Sequence, residues 1–269
     1  MKTIDYVRQG LPLNDILLID LHCHLGQGKE FYIPYCDLNE QFQNFRHTLN
    51  RVAVDFACVS MFRALFHGDV EANFMLQDFM EVDRRILGWI VYNPFIINES
   101  LSTIQKCREA TRRYVGIKIH PVFHQTRLSD DSYRPAFEYA DAEGLPLLIH
   151  TWQTEFSAPV QLRDIVKKYR NAKFLLAHCG GVQPGVKEAV NLASNNDNVF
   201  LDLTGGFIYS GMRLEDYVKG AGVHKLLFSS DTVYNNICWE IGNIAFSELP
   251  EESKRAILGS NAKKLLCIR

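Results

Sequence analysis

ILLIDLHCHLG (16–26) begins as an almost unbroken apolar run and ends in two histidines before a glycine. Such a run, apolar on both faces rather than alternating, suits a strand buried on both sides of a parallel sheet. Seven more follow: VDFACVS (54–60), LGWIVYN (87–93), VGIKIH (115–120), PLLIH (146–150), KFLLAH (173–178), NVFLDLT (198–204) and KLLFSSD (225–231). Their ends recur every 26–36 residues, which leaves room for one helix in each interval. Asp37-Leu38-Asn39-Glu40 opens one helical segment as a cap would, and DDSYRPAFEYADAEG closes another on Gly144. Eight βα units in succession predict an α/β fold, a (β/α)8 TIM barrel, with a last helical pair in 235–246 and 250–267 covering the outside. The rival is a doubly wound open sheet. It would want a G-x-G-x-x-G turn after the first strand, and the third glycine of Gly26-Gln27-Gly28 falls on Phe31.

A length of 269 residues fits one barrel or two small domains. No linker or shift in composition interrupts the series, so one domain over residues 1–269 is expected. With 47% hydrophobic and 22% charged residues the chain can build a large core, which excludes intrinsic disorder. A net charge of −2 offers no basic surplus, so neither nucleic acid nor a membrane is an expected partner, and a small molecule is. The N-terminus lacks a signal-peptide pattern and no run approaches ~18 apolar residues, so the expected location is the cytoplasm. Seven cysteines without a C-x-x-C read as reduced thiols rather than disulfides or a thiolate zinc site.

In a TIM barrel the chemistry sits at the C-terminal ends of the strands. Five of the nine histidines (22, 24, 120, 150 and 178) fall there. His22 and His24 point the same way, ~6–7 Å apart along the first strand. His150 closes the fifth strand, His178 the sixth and Asp231 the eighth. A lone histidine at the end of an apolar run reads as a buried, hydrogen-bonded imidazole. Four of them converging with a carboxylate on one mouth read as a metal centre. Imidazoles with a carboxylate suit Zn²⁺, with Mn²⁺ or Fe²⁺ as alternatives, and one divalent ion per chain is expected. Water on such an ion would have a pKa near ~7, with Asp231 placed to accept its proton.

On DLHCHLG (20–26), GIKIHP (116–121), PLLIHT (146–151), LLAHCGG (175–181), SSDT (229–232) and ILGSNAKKLL (257–266), the chain resembles the amidohydrolase superfamily over nearly its whole length. Within it the chain is most similar to the family-2 amidohydrolases, which include metal-dependent hydrolases, sugar lactonases and the aminocarboxymuconate-semialdehyde and resorcylate decarboxylases. The resemblance implies that His22, His24 and His150 bind the metal and that Asp231 is ligand and general base. It makes His178 a further ligand, a proton shuttle or a substrate-polarising group. Two-metal branches carry a carboxylated lysine at the position of Lys118, while one-metal members also show G-I-K-x-H-P. Lys118 and His120 therefore read as a second-metal pair, or as groups that bind substrate or each other. TatD-type nucleases share the D-x-H-C-H-L start but place a Glu in the fourth strand.

Arg63, Arg127, Trp152, Phe207 and Tyr209 fall in loops on the same face and would form a partly aromatic pocket. Arg63 or Arg127 could clamp a carboxylate there. His47, His67, His124 and His224 are expected at the surface or behind the site. The function expected is hydrolysis of a small amide, cyclic amide, lactone or ester by metal-activated water. Non-oxidative decarboxylation of a small carboxylic acid is the alternative, followed by a TatD-type nuclease or an idle metal-binding barrel.

Overall fold

The computed structural model describes residues 1–28, 32–205 and 212–268. Its centre is one parallel sheet in sequence order: β1 (Ile19–Leu25), β2 (Phe56–Met61), β3 (Ile86–Val91), β4 (Tyr114–Ile119), β5 (Pro146–His150), β6 (Lys173–Ala177), β7 (Val199–Asp202) and β8 (Leu226–Leu227). Helices alternate with the strands, which makes the fold a (β/α)8 TIM barrel. Local signals set several helix ends. The Asp37 carboxylate caps Leu38–Val52 by accepting from the amides of Asn39 and Glu40, and Gly144, at φ 64°, ends Arg134–Glu143 in the left-handed conformation.

The eighth strand is shorter than KLLFSSD suggests: only Leu226 and Leu227 pair with β7. Beyond them the chain leaves the ladder and closes the barrel by separate hydrogen bonds to β1. Leu21 N donates to Phe228 O (3.2 Å), Asp231 N to His22 O (2.7 Å) and His24 N to Thr232 O (2.6 Å). Buried Asp20 fastens the same seam by accepting from the amide and hydroxyl of Ser230. Asp231 is thereby carried beside the two histidines of β1.

The strands separate two apolar regions. A large cluster lies between sheet and helices, and a smaller one, with Ile19, Leu21, Cys58, Trp89, Leu148 and Leu175, fills the barrel. Strict alternation along β1 could not send Ile19 and Leu21 into that plug and also His22 and His24 into the mouth above it. The pairing of β1 with β2 shifts register between Asp20 and Cys23, and an irregularity of this kind re-aims side chains. The Trp89 indole donates to Leu21 O at 2.7 Å across the barrel. Gly116 on β4 makes room for that ring, since a Cβ there would lie 2.7 Å from Trp89 and 2.2 Å from Pro146 O. Gly116→Ala is expected to cost about 1–3 kcal/mol through overpacking, seen as a lower denaturation midpoint at unchanged slope.

Candidate metal centre

His22, His24 and Asp231 each aim one donor atom at a common point at the top of the barrel, with all three atoms within 4.8 Å of one another. The two Nε2 atoms are 3.1 Å apart, and Asp231 Oδ1 lies 3.1 Å from His24 Nε2 and 3.7 Å from His22 Nε2. All three residues are buried. The arrangement is held from behind. His22 Nδ1 donates to Asp202 Oδ2 at 2.8 Å, which puts its proton on Nδ1 and leaves the Nε2 lone pair facing the cluster. His24 Nδ1 is held by Ser60 Oγ at 2.9 Å. His178 Nδ1 donates to Thr204 O at 3.0 Å, so its Nε2 also carries a lone pair.

Burial pushes His22, His120 and His150 well below the usual imidazole value and His178 down to about 4. Burial lowers His24 as well, against the opposing pull of Asp231. Neutral imidazoles keep the lone pairs that a metal needs. Burial pushes the Asp231 carboxyl up, but the hydrogen bond with His24 and the positive groups around it outweigh this and hold it below the carboxylate range. Once His24 Nε2 gives up the proton it shares with Asp231 and His22 Nε2 is released from Lys118, two imidazole nitrogens and an ionised carboxylate, 3.1–3.7 Å apart, fit a divalent ion, since ligands ~2.0–2.2 Å from one centre sit roughly 3.3 Å from each other. Among the described residues no second cluster of three such donors occurs.

The other anticipated residues divide. His150 and His178 join the group, their rings 4.8 Å apart, with His178 5.3 Å from His22. Lys118 and His120, read as a second-metal pair or as groups that bind substrate or each other, have different partners. Lys118 Nζ is fully buried and donates to His22 Nε2 at 2.7 Å, and burial lowers it to about 8. His120 Nδ1 instead accepts from the Phe123 amide. Trp152 lines the cavity above the cluster and stacks near His150 (6.4 Å, 13°). Gly181, at φ 71°, admits it, because a Cβ there would lie 2.3 Å from the indole. Arg63 and Arg127 do not line the cavity. Arg63 pairs with Asp69 at 2.7 Å, Arg127 faces Glu155 at 3.6 Å, and their side chains are 62% and 67% exposed. Phe207 and Tyr209 lie outside the described residues. Of the remaining histidines, His47, His67 and His224 are exposed and His124 is buried against Tyr133.

Several residues here escaped the sequence reading. Asp202 at the end of β7 orients His22, and Ser60 at the end of β2 holds His24. Phe62, Leu65, Val122, Phe123, Tyr234 and Asn235 build cavity wall. His178, Cys179 and Asp231 have φ of 61°, 50° and 59°, a left-handed conformation that costs about 1–2 kcal/mol for most residues. Such outliers gather where surrounding structure holds functional groups in place.

The amidohydrolase family model matches residues 19–268, and the chain belongs to that family. Its members are enzymes and the family is metal-dependent. No curated protein matches the chain. Among solved structures it is similar to a 2,6-dihydroxybenzoate decarboxylase complexed with 2,6-dihydroxybenzoate (TM-score 0.73, 15% identity, 94% of this chain and 100% of the other). It is also similar to a dihydroxybenzoic acid decarboxylase from Polaromonas sp. JS666 with bound manganese and the inhibitor 2-nitroresorcinol (0.70, 16%, 94% and 97%). A third is described as a probable 2-pyrone-4,6-dicarboxylic acid hydrolase from Acinetobacter baumannii with citric acid bound (0.65, 15%, 93% and 99%). At these identities the likeness is one of fold. Among the described residues no helix is long and apolar enough to cross a membrane.

Proposed function

We propose that the chain is a metal-dependent decarboxylase of a small, planar carboxylic acid. The observation that carries this reading is the cavity over the donor cluster. It has a volume of about 380 Å³, and its described walls are mostly aromatic rings and aliphatic side chains, with Asn235 among them and no arginine or lysine. His24 and Phe62 stack at 4.3 Å, Phe66 links Phe62 to Phe123, and the rings of Phe123, His120 and His150 continue the arc. A flat conjugated ring packs well against such faces. Its carboxylate needs positive charge when buried, and among the described residues the floor is what supplies it. The decarboxylases of fold likeness act on or bind flat hydroxylated rings, which supports the same substrate class.

His22, His24 and Asp231 would hold the ion, with His150 and His178 beside them, and Zn²⁺, Mn²⁺ or Fe²⁺ fits these donors. When bound, the ion supplies positive charge to the substrate's oxygens. Trp152 and Phe123 line the cavity where the ring would sit. The bond between ring carbon and carboxylate carbon breaks, CO₂ leaves, and the electron pair left on the ring carbon takes one proton that comes from solvent, relayed by a group at the floor that first accepts it. Asp231 and His178 are the acid–base groups at that floor.

A second reading, hydrolysis, is favoured by one observation: the Asp231 carboxylate sits at the cluster, its Oδ1 3.1 Å from His24 Nε2, where a base that deprotonates water would have to be. One experiment separates the two. Protein loaded with Mn²⁺ or Zn²⁺ is given hydroxybenzoates and related acids on one side, and lactones, cyclic amides and N-acyl compounds on the other, in D₂O and in H₂¹⁸O. The decarboxylase reading expects CO₂ and one deuterium on the carbon that lost it. Label from ¹⁸O-water in the product without CO₂ would overturn it in favour of hydrolysis.

A further inference from the structure

We propose that His120 is the specificity-determining residue of this cavity, a fixed hydrogen-bond donor that selects planar acids carrying an acceptor oxygen, such as a ring hydroxyl, on the edge facing β4. The proposal rests on the planar-acid reading above and adds a second recognition point to it.

The argument is one of tautomers. A neutral imidazole has one proton and two nitrogens, and a partner that donates to one nitrogen forces the proton onto the other. Phe123 N donates to His120 Nδ1 at 3.4 Å, where His120 caps the short helix Pro121–His124, so the proton of His120 sits on Nε2. This is the reverse of His22 and His178, whose Nδ1 atoms donate to Asp202 and to the Thr204 carbonyl. The cavity thus has two kinds of imidazole edge. Those on the floor present lone pairs, and the one beside β4 presents an N–H. In this tautomer His120 offers the cavity a donor rather than a lone pair.

The ring cannot readily turn to change this. It is clamped between Phe123, with centroids 3.7 Å apart and planes 9° from parallel, and His150 at 3.9 Å and 17°. His120 is 6% exposed and lines the cavity, and among the described residues its Nε2 has no partner within the chain. A donor so placed favours a ligand that brings an acceptor and rejects one that leaves the N–H bare.

Two measurements test this. In ¹⁵N spectra of the metal-free protein, His120 should show the Nε2–H tautomer and His178 the Nδ1–H tautomer. An Nδ1–H signal from His120 would overturn the proposal whatever the variants do. In the metal-loaded protein, calorimetric titration with benzoate and with 2-, 3- and 4-hydroxybenzoate should find at least one hydroxy acid binding roughly tenfold or more tightly than benzoate. His120→Phe, which keeps a stacked ring and loses the donor, should reduce that advantage to about twofold or less with metal content unchanged. The same preference in the variant, or none in the unaltered protein, would sink the donor role while leaving the planar-acid reading standing. Failure of all four acids to bind would sink that reading and this one with it.

Discussion

Asp231→Asn is expected to lower kcat by ~10²–10⁴, the usual worth of a positioned acid–base group, and to leave the melting temperature within a few degrees. The separation follows from how the residue is held. Its backbone is part of the seam that closes the barrel, through Asp231 N donating to His22 O, and sits at φ 59°. Asparagine tolerates that left-handed conformation better than almost any residue except glycine, so the substitution keeps the chain path, whereas Ala would add strain. What changes is the charge. Oδ1 lies 3.1 Å from His24 Nε2, and an amide there neither balances a divalent ion as a carboxylate does nor exchanges a proton near neutral pH. Assays therefore need saturating metal, with bound metal measured in parallel and expected above about half an equivalent. Full activity under those conditions would remove Asp231 from the chemistry under either reaction reading. Loss of the folded state would make it a structural residue of the seam.

The architecture was legible because parallel strands buried on both faces write themselves as apolar runs, and a regular spacing of such runs leaves few folds. The eighth run misled in length, since Phe228 to Asp231 closes on β1 by separate hydrogen bonds that leave no periodic trace. The histidines that gather at the mouth were legible for a related reason: a polar residue at the end of a buried strand has nowhere else to point. The walls were not. Arg63 was singled out after the second strand, while its neighbour Phe62 lines the cavity and Arg63 turns to Asp69. One residue along a helix is a turn of ~100°, and nothing in FRALFH tells which side faces inward. His120 was readable as a site residue but not as a donor, because its tautomer depends on the Phe123 amide and appears only in three dimensions. Asp202 was hidden inside NVFLDLT, read as an apolar run. The available signal was the acid itself, since a carboxylate in a core strand must be paired.

That carboxylate yields the other large effect: Asp202→Asn is expected to weaken metal binding by ~10–100-fold, the usual loss when the partner behind a ligating histidine is changed. Asp202 accepts from His22 Nδ1 at 2.8 Å, from Thr204 N at 3.0 Å and from Ser229 Oγ. Burial pushes it up to about 7, against the hydrogen bonds from Ser229 and Thr204. Two carboxylate oxygens serve three donors. An asparagine offers one oxygen and turns an N–H₂ toward groups that are themselves donating, so at least one donor loses its partner. If His22 is that donor, its proton can move to Nε2, the atom that faces His24 and Asp231, and the cluster loses a lone pair. Competition with a chelator would measure the affinity, and the ¹⁵N shifts of His22 in the metal-free variant would report the tautomer. Weakened binding together with an Nε2–H signal from His22 identifies a positioning residue. Weakened binding with the Nδ1–H tautomer intact would mean that Asp202 acts through its charge alone, and unchanged affinity would remove it from the metal centre.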